Sequence, residues 1–111
     1  LTENSFEGID VAFWSAGGSI SEKYMPFAVK AGCVNIDNTS HFRMDPEVPL
    51  VVPEVNGEAL RKHKGIIANP NCTTIQMVSA LNRLNEYFDI KRFQEQVLQE
   101  WKNYTASLKK S

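Results

Sequence analysis

Of the two cysteines in this 111-residue chain, Cys72 has the setting of a nucleophile. It lies in Gly65-Ile-Ile-Ala-Asn-Pro-Asn-Cys-Thr-Thr-Ile-Gln76, which reads as a short apolar strand, a proline-bearing turn and a helix start. Beyond it, Ile75, Val78, Leu81, Leu84 and Phe88 recur at steps of three and four, the spacing of one helix face. Asn71 is the expected N-cap, so Cys72 falls in the first turn. Backbone N–H groups there lack intrahelical partners and carry the positive end of the helix dipole. Both favour thiolate over thiol, and the thiolate is what attacks. On spacing alone the alternative is an inert buried thiol. Arg43, in a polar loop, is either a solvated surface residue or a bidentate clamp on phosphate or carboxylate. Cys33, among Ala31, Val34 and Ile36, is expected to be structural, and His41 and His63 read as surface histidines. No general base for Cys72 is evident.

Short strands and helices must position these groups. Ile9-Asp-Val-Ala-Phe-Trp14 is an apolar run ending at Ser15-Ala-Gly-Gly18, a strand followed by a tight turn. That turn is either an ordinary reversal or a loop open to close approach by a cofactor. A helix is expected from about Ser19 to Ala31, with Ile20, Tyr24, Phe27, Ala28 and Ala31 inward and Gly32 as its stop. Pro26 predicts a bend, or a start later than Ser19. Cys33-Val-Asn-Ile36 is the second strand, leading into Asp37-Asn-Thr-Ser40. Leu50-Val-Val52 and Gly65-Ile-Ile-Ala68 are the third and fourth, with a short helix near Glu58 to Lys62 between them. This rhythm predicts βαβ organisation: an α/β fold, a partial Rossmann-like and mostly parallel sheet with flanking helices. Ligands of such sheets bind beyond the carboxyl ends of the strands. The loops Ser15-Ala-Gly, Asn38-Thr-Ser and Asn69-Pro-Asn-Cys all follow strands and are expected on that edge.

The length allows one domain with a modest core. A net charge of −1 gives no electrostatic reason to expect nucleic acid or an anionic membrane as a partner. No apolar run approaches a bilayer span, and no signal-peptide pattern opens the chain. Two distant cysteines fit neither a metal site nor a disulfide framework, which suggests a reduced, cytoplasmic setting. The chain starts at Leu1 within ordinary domain sequence, so it reads as a fragment. From Phe93 to Ser111 the character changes. Phe93, Val97, Trp101, Tyr104 and Leu108 form a helical stripe suited to packing on the same domain or on a partner.

Five ordered blocks resemble aspartate-semialdehyde dehydrogenase: Val11-Ala-Phe-Trp-Ser-Ala-Gly-Gly18, Val34-Asn-Ile-Asp-Asn-Thr-Ser40, Phe42-Arg-Met44, Val51-Val-Pro-Glu-Val-Asn56 and Ile67-Ala-Asn-Pro-Asn-Cys-Thr-Thr-Ile-Gln76. The resemblance covers about residues 8 to 92, so residues 1–92 are expected to be a partial NAD(P)-binding domain and 93–111 a helical tail foreign to the family. It implies NADPH-dependent reduction of aspartyl phosphate to aspartate semialdehyde, on the route to lysine, threonine and methionine. Under it Cys72 is the nucleophile that forms an acyl-thioester, while Arg43 and Asn71 hold the phosphate or the developing oxyanion. Ser15, Ala16 and Gly17 then lie along the nicotinamide cofactor, with Asn38 in a second loop near it. The resemblance further implies a small-molecule substrate, phosphate, and a homodimer or larger assembly for the intact enzyme. Two departures set limits. The family's first strand and glycine-rich phosphate loop have no counterpart before Leu1, and its histidine base, glutamine and second arginine have none after Arg92. The isolated chain is therefore expected to be inactive. Its alternative role is that of a truncated binding or assembly module.

Overall fold

The computed structural model describes residues 1–87, and the tail 93–111 lies outside the described residues. Leu1–Ala80 form one compact unit. Three strands, β1 (Val11–Trp14), β2 (Val34–Asp37) and β3 (Ile66–Ala68), make a parallel sheet in the order β1-β2-β3. Register sets Trp14 beside Asp37 and Asp37 beside Ala68, so all three carboxyl ends share one edge.

The two-residue alternation of a strand divides the side chains between the faces. Ala12, Trp14, Asn35, Asp37 and Ile66 share the face covered by the helix α1 (Gly18–Lys30). The core cluster there is Phe6, Trp14, Met25, Ala28 and Cys33, with the Phe6 and Trp14 rings stacked at 5.3 Å. Burying Met25 and its neighbours contributes about 1.5–3 kcal/mol for each large apolar side chain. On the opposite face Val11 is 48% and Phe13 79% exposed, so β1 is covered on one side only.

The helix α1 differs from expectation in two respects. It begins at Gly18 rather than later, and Pro26 lies inside it, the helix running on to Lys30. Pro26 is exposed, so the carbonyl that its missing N–H leaves free sits on the solvent side. The inward face is centred on Ser21, Met25 and Ala28, while Ile20, Tyr24 and Phe27 flank it and Ala31 is exposed. Gly32 ends the helix as expected. At φ 85° it lets its own N–H reach the Val29 carbonyl and the Cys33 N–H reach that of Ala28, each at 3.0 Å.

The expected strand Leu50-Val-Val52 is reduced to one parallel bridge between Leu50 and Ala68. Val51 and Val52 are buried, but Pro53 opens the short helix α2 (Pro53–Asn56) and stops the ladder from extending. Asn56 fastens that turn, accepting from the Val52 N–H and donating to the Leu50 carbonyl. The short helix expected near 58–62 is present as a 3-10 helix, Gly57–Lys62. The helix α3 (Cys72–Asn85) follows β3; Ile75 and Val78 are half-buried, and none of its residues is fully buried.

Candidate active site

Hydrogen bonds fasten the loops after β2 and β3 to the carboxyl edge and to each other. The Asn38 N–H donates to the Trp14 carbonyl and the Asn69 N–H to the Asp37 carbonyl, both at 2.8 Å. The Asn69 side-chain amide donates to Asn38 Oδ1 at 2.9 Å. Arg43 spans the same two loops, donating from Nε to the Asn69 carbonyl at 3.0 Å and from Nη2 to the Asn38 carbonyl at 3.1 Å. Two of the five guanidinium N–H groups are spent in this way.

Asn71 is the N-cap of α3. Its Oδ1 accepts from the Thr73 N–H at 2.9 Å, and its carbonyl accepts from the Ile75 N–H at 3.0 Å. Cys72 is the first residue of the helix, exposed, with its thiol 3.9 Å from Asn71 Oδ1. Cys33 is the opposite case, 1% exposed. Burial pushes its thiol above the usual range, and the nearby Asp10 pushes it further.

Ser15, Ala16 and Gly17 form the exposed turn from β1 into α1. Gly17 holds φ 103°, a conformation that strains any residue with a Cβ, and the space where a Cβ would stand is open. Beside this turn a depression of about 450 Å³ is lined by Phe13, Trp14, Ser15, Ile36, Asn38 and Asn69. Apolar walls with a few amides and a hydroxyl suit a mostly neutral, apolar group. Thus Ser15 and Asn38 line one depression, and Arg43, in the same loop as Asn38, ties that loop to the one carrying Asn69.

One group escaped the sequence reading. Asp37, fully buried at the tip of β2, accepts through Oδ1 from Ser21 Oγ at 3.1 Å and from the Thr39 N–H at 3.0 Å. Its Oδ2 accepts from Thr39 Oγ1 at 2.9 Å. The signal was the Asp37-Asn-Thr39 run, since an Asp side chain readily bonds the backbone N–H two residues on. A second buried pair, Trp14 Nε1 to Asn35 Oδ1 at 2.9 Å, joins β1 to β2.

A parallel sheet with flanking helices, whose strand-end loops line one depression, is a Rossmann-like α/β arrangement. Residues 1–63 match the family model described as semialdehyde dehydrogenase, NAD binding domain, and the chain belongs to that family. The aspartate-semialdehyde dehydrogenase of Campylobacter jejuni is 64% identical over 96 residues, covering 83% of this chain and 28% of that enzyme. The Bacillus subtilis enzyme is 57% identical over 88 residues, 79% of this chain and 25% of that protein. Among solved structures, aspartate semialdehyde dehydrogenase II of Vibrio cholerae complexed with ASA superposes with a TM-score of 0.68 at 56% identity, over 69% of this chain and 26% of that one. The Candida albicans enzyme solved with NADP gives 0.59 at 31% identity, over 71% and 26%. The chain thus spans about a quarter of the length of the relatives it matches.

Proposed function

We propose that this chain is the cofactor-side and nucleophile-bearing part of an aspartate-semialdehyde dehydrogenase. Such an enzyme converts L-aspartyl 4-phosphate to L-aspartate 4-semialdehyde with NADPH, in lysine, threonine and methionine biosynthesis. The observation that carries the reading is Cys72, exposed at the first position of a helix capped by Asn71. The Cys72 thiolate attacks the acyl carbon, the carbon–oxygen bond to phosphate breaks, and phosphate leaves with the electron pair. Arg43 offers its uncommitted N–H groups to the phosphate oxygens, and Asn71 with the helix-start N–H groups steadies the developing oxyanion. Ser15, Ala16, Gly17 and Asn38 line the cofactor's place, where glycine permits close backbone approach. NADPH, when bound, supplies the hydride that reduces the thioester. The carbon–sulfur bond then breaks and Cys72 is restored as thiolate.

The whole enzyme under this reading is cytoplasmic, takes a small-molecule substrate and phosphate, and works as a homodimer or larger assembly. A chimera tests it. The matched segment of the Campylobacter jejuni enzyme is replaced by residues 1–87 of this chain, and semialdehyde-dependent NADPH formation in phosphate is followed. The reading predicts turnover that Cys72→Ser abolishes. A folded chimera without turnover, or one indifferent to Cys72→Ser, would refute it.

A further inference from the structure

We propose that Arg43 is a positioning residue for Cys72, holding the loop that carries it whether or not an anion is bound. The inference rests on the reading of Cys72 as the nucleophile but not on that of Arg43 as a phosphate contact. The Nε and Nη2 edge of a guanidinium is one of the two edges that grip a carboxylate or phosphate bidentately. Here that edge is occupied by the carbonyls of Asn69 and Asn38, at 3.0 and 3.1 Å. Arg43 is half-buried, and the strap it forms closes a ring with the Asn69 amide on Asn38 Oδ1.

The strap reaches Cys72 through a stiff lever. Asn69 is fixed through its N–H on Asp37, its carbonyl on Arg43 and its side chain on Asn38. Pro70, which follows, is buried and has a locked φ. Asn71 is then committed through both its carbonyl and its side chain to the first turn of α3. Little slack remains between the guanidinium and the sulfur. An anion at Arg43 must take the free Nη1 side, or else take the fork from the carbonyls and loosen both loops together.

The test is iodoacetamide alkylation of the whole 111-residue chain, read by peptide mass mapping so that Cys72 and Cys33 are counted separately. Arg43→Lys keeps the charge but offers a point donor in place of a fork. In phosphate-free buffer, with far-UV circular dichroism unchanged, the strap predicts that Arg43→Lys slows Cys72 alkylation by about threefold or more, because a loosened loop no longer holds the sulfur in its fixed, exposed place at the helix start. Equal phosphate-free rates, with loss only of the protection that added phosphate gives the wild type, would overturn the strap and leave the phosphate contact standing. A slowed variant beside a wild type indifferent to phosphate would uphold the strap and remove the phosphate contact. If Arg43→Lys loses its fold, proton exchange in the wild type decides. The Arg43 Nε proton should exchange about tenfold more slowly than that of Arg83, whose side chain is 83% exposed. Equal exchange would overturn the proposal.

Discussion

Replacing Asp37 by alanine is expected to disable the carboxyl edge of the sheet. The side chain is fully buried and accepts three hydrogen bonds, from Ser21 Oγ, the Thr39 N–H and Thr39 Oγ1. Thr39 Oγ1 keeps a fallback on Ser21 Oγ at 3.4 Å, so alanine orphans two donors outright: the Ser21 hydroxyl and the Thr39 N–H. Each buried orphan costs about 1–3 kcal/mol, and with the small cavity the total is roughly 3–5 kcal/mol. A domain of this size has about 5–15 kcal/mol in all, so the variant should sit near the edge of folding. Asp37→Asn behaves differently. It keeps one acceptor oxygen, and the Thr39 hydroxyl can turn to accept from the new amide, so the expected loss is about 1–2 kcal/mol. Urea denaturation followed by far-UV circular dichroism measures both. An Asp37→Ala midpoint corresponding to less than about 1 kcal/mol of loss would refute the reasoning, because two buried orphans cannot be that cheap. The functional stake is the loop Asn38 to Arg43, which leaves the sheet through this network.

Other outcomes follow from the same geometry. Cys33 should resist alkylation in the folded chain at pH 8 while Cys72 reacts, since burial raises the Cys33 thiol and Cys72 is exposed; comparable native rates would contradict this. The raised thiol also has a stability consequence. Above about pH 8.5 the unfolded chain releases the Cys33 proton while the folded chain keeps it, so stability falls as pH rises, and Cys33→Ala should flatten that decline. Gly17→Ala meets open space but a φ of 103°, so it should cost about 1–2 kcal/mol from backbone strain alone; an unchanged melting temperature would count against it. The isolated chain, about a quarter of its relatives' length, should show no semialdehyde-dependent NADPH formation in phosphate, because nucleophile, base and cofactor loop act as a unit. Measurable turnover would contradict that expectation.

What was legible in the sequence was what local patterns encode. The run Ile9 to Trp14 gave β1, Gly32 gave the end of α1, and Asn71 gave the cap that puts Cys72 at the start of α3. What stayed hidden depends on partners distant in sequence. Leu50 to Val52 has the composition of a strand, but pairing stops at one bridge because Pro53 turns the chain away. Ser21 looks like a solvent-facing helix residue until Asp37 is seen opposite it. The buried face of α1 accordingly includes Ser21 beside Met25 and Ala28. Arg43 read as either surface or anion clamp, and one of its two carbonyl partners, Asn69, comes from a loop that only the parallel sheet brings beside it. The exposed Phe13 shows the limit from the other side, since an apolar strand pattern does not say which face is covered.

The most direct test of the central claim is to find where acylation occurs. The chimera carrying residues 1–87 is mixed with L-aspartyl 4-phosphate in the absence of NADPH, quenched in acid, digested and mapped by mass spectrometry. The account predicts an aspartyl thioester on the peptide containing Cys72, lost on treatment with hydroxylamine and absent in Cys72→Ser. An adduct on another residue, or an unmodified Cys72 in a chimera that turns over once NADPH is supplied, would contradict it.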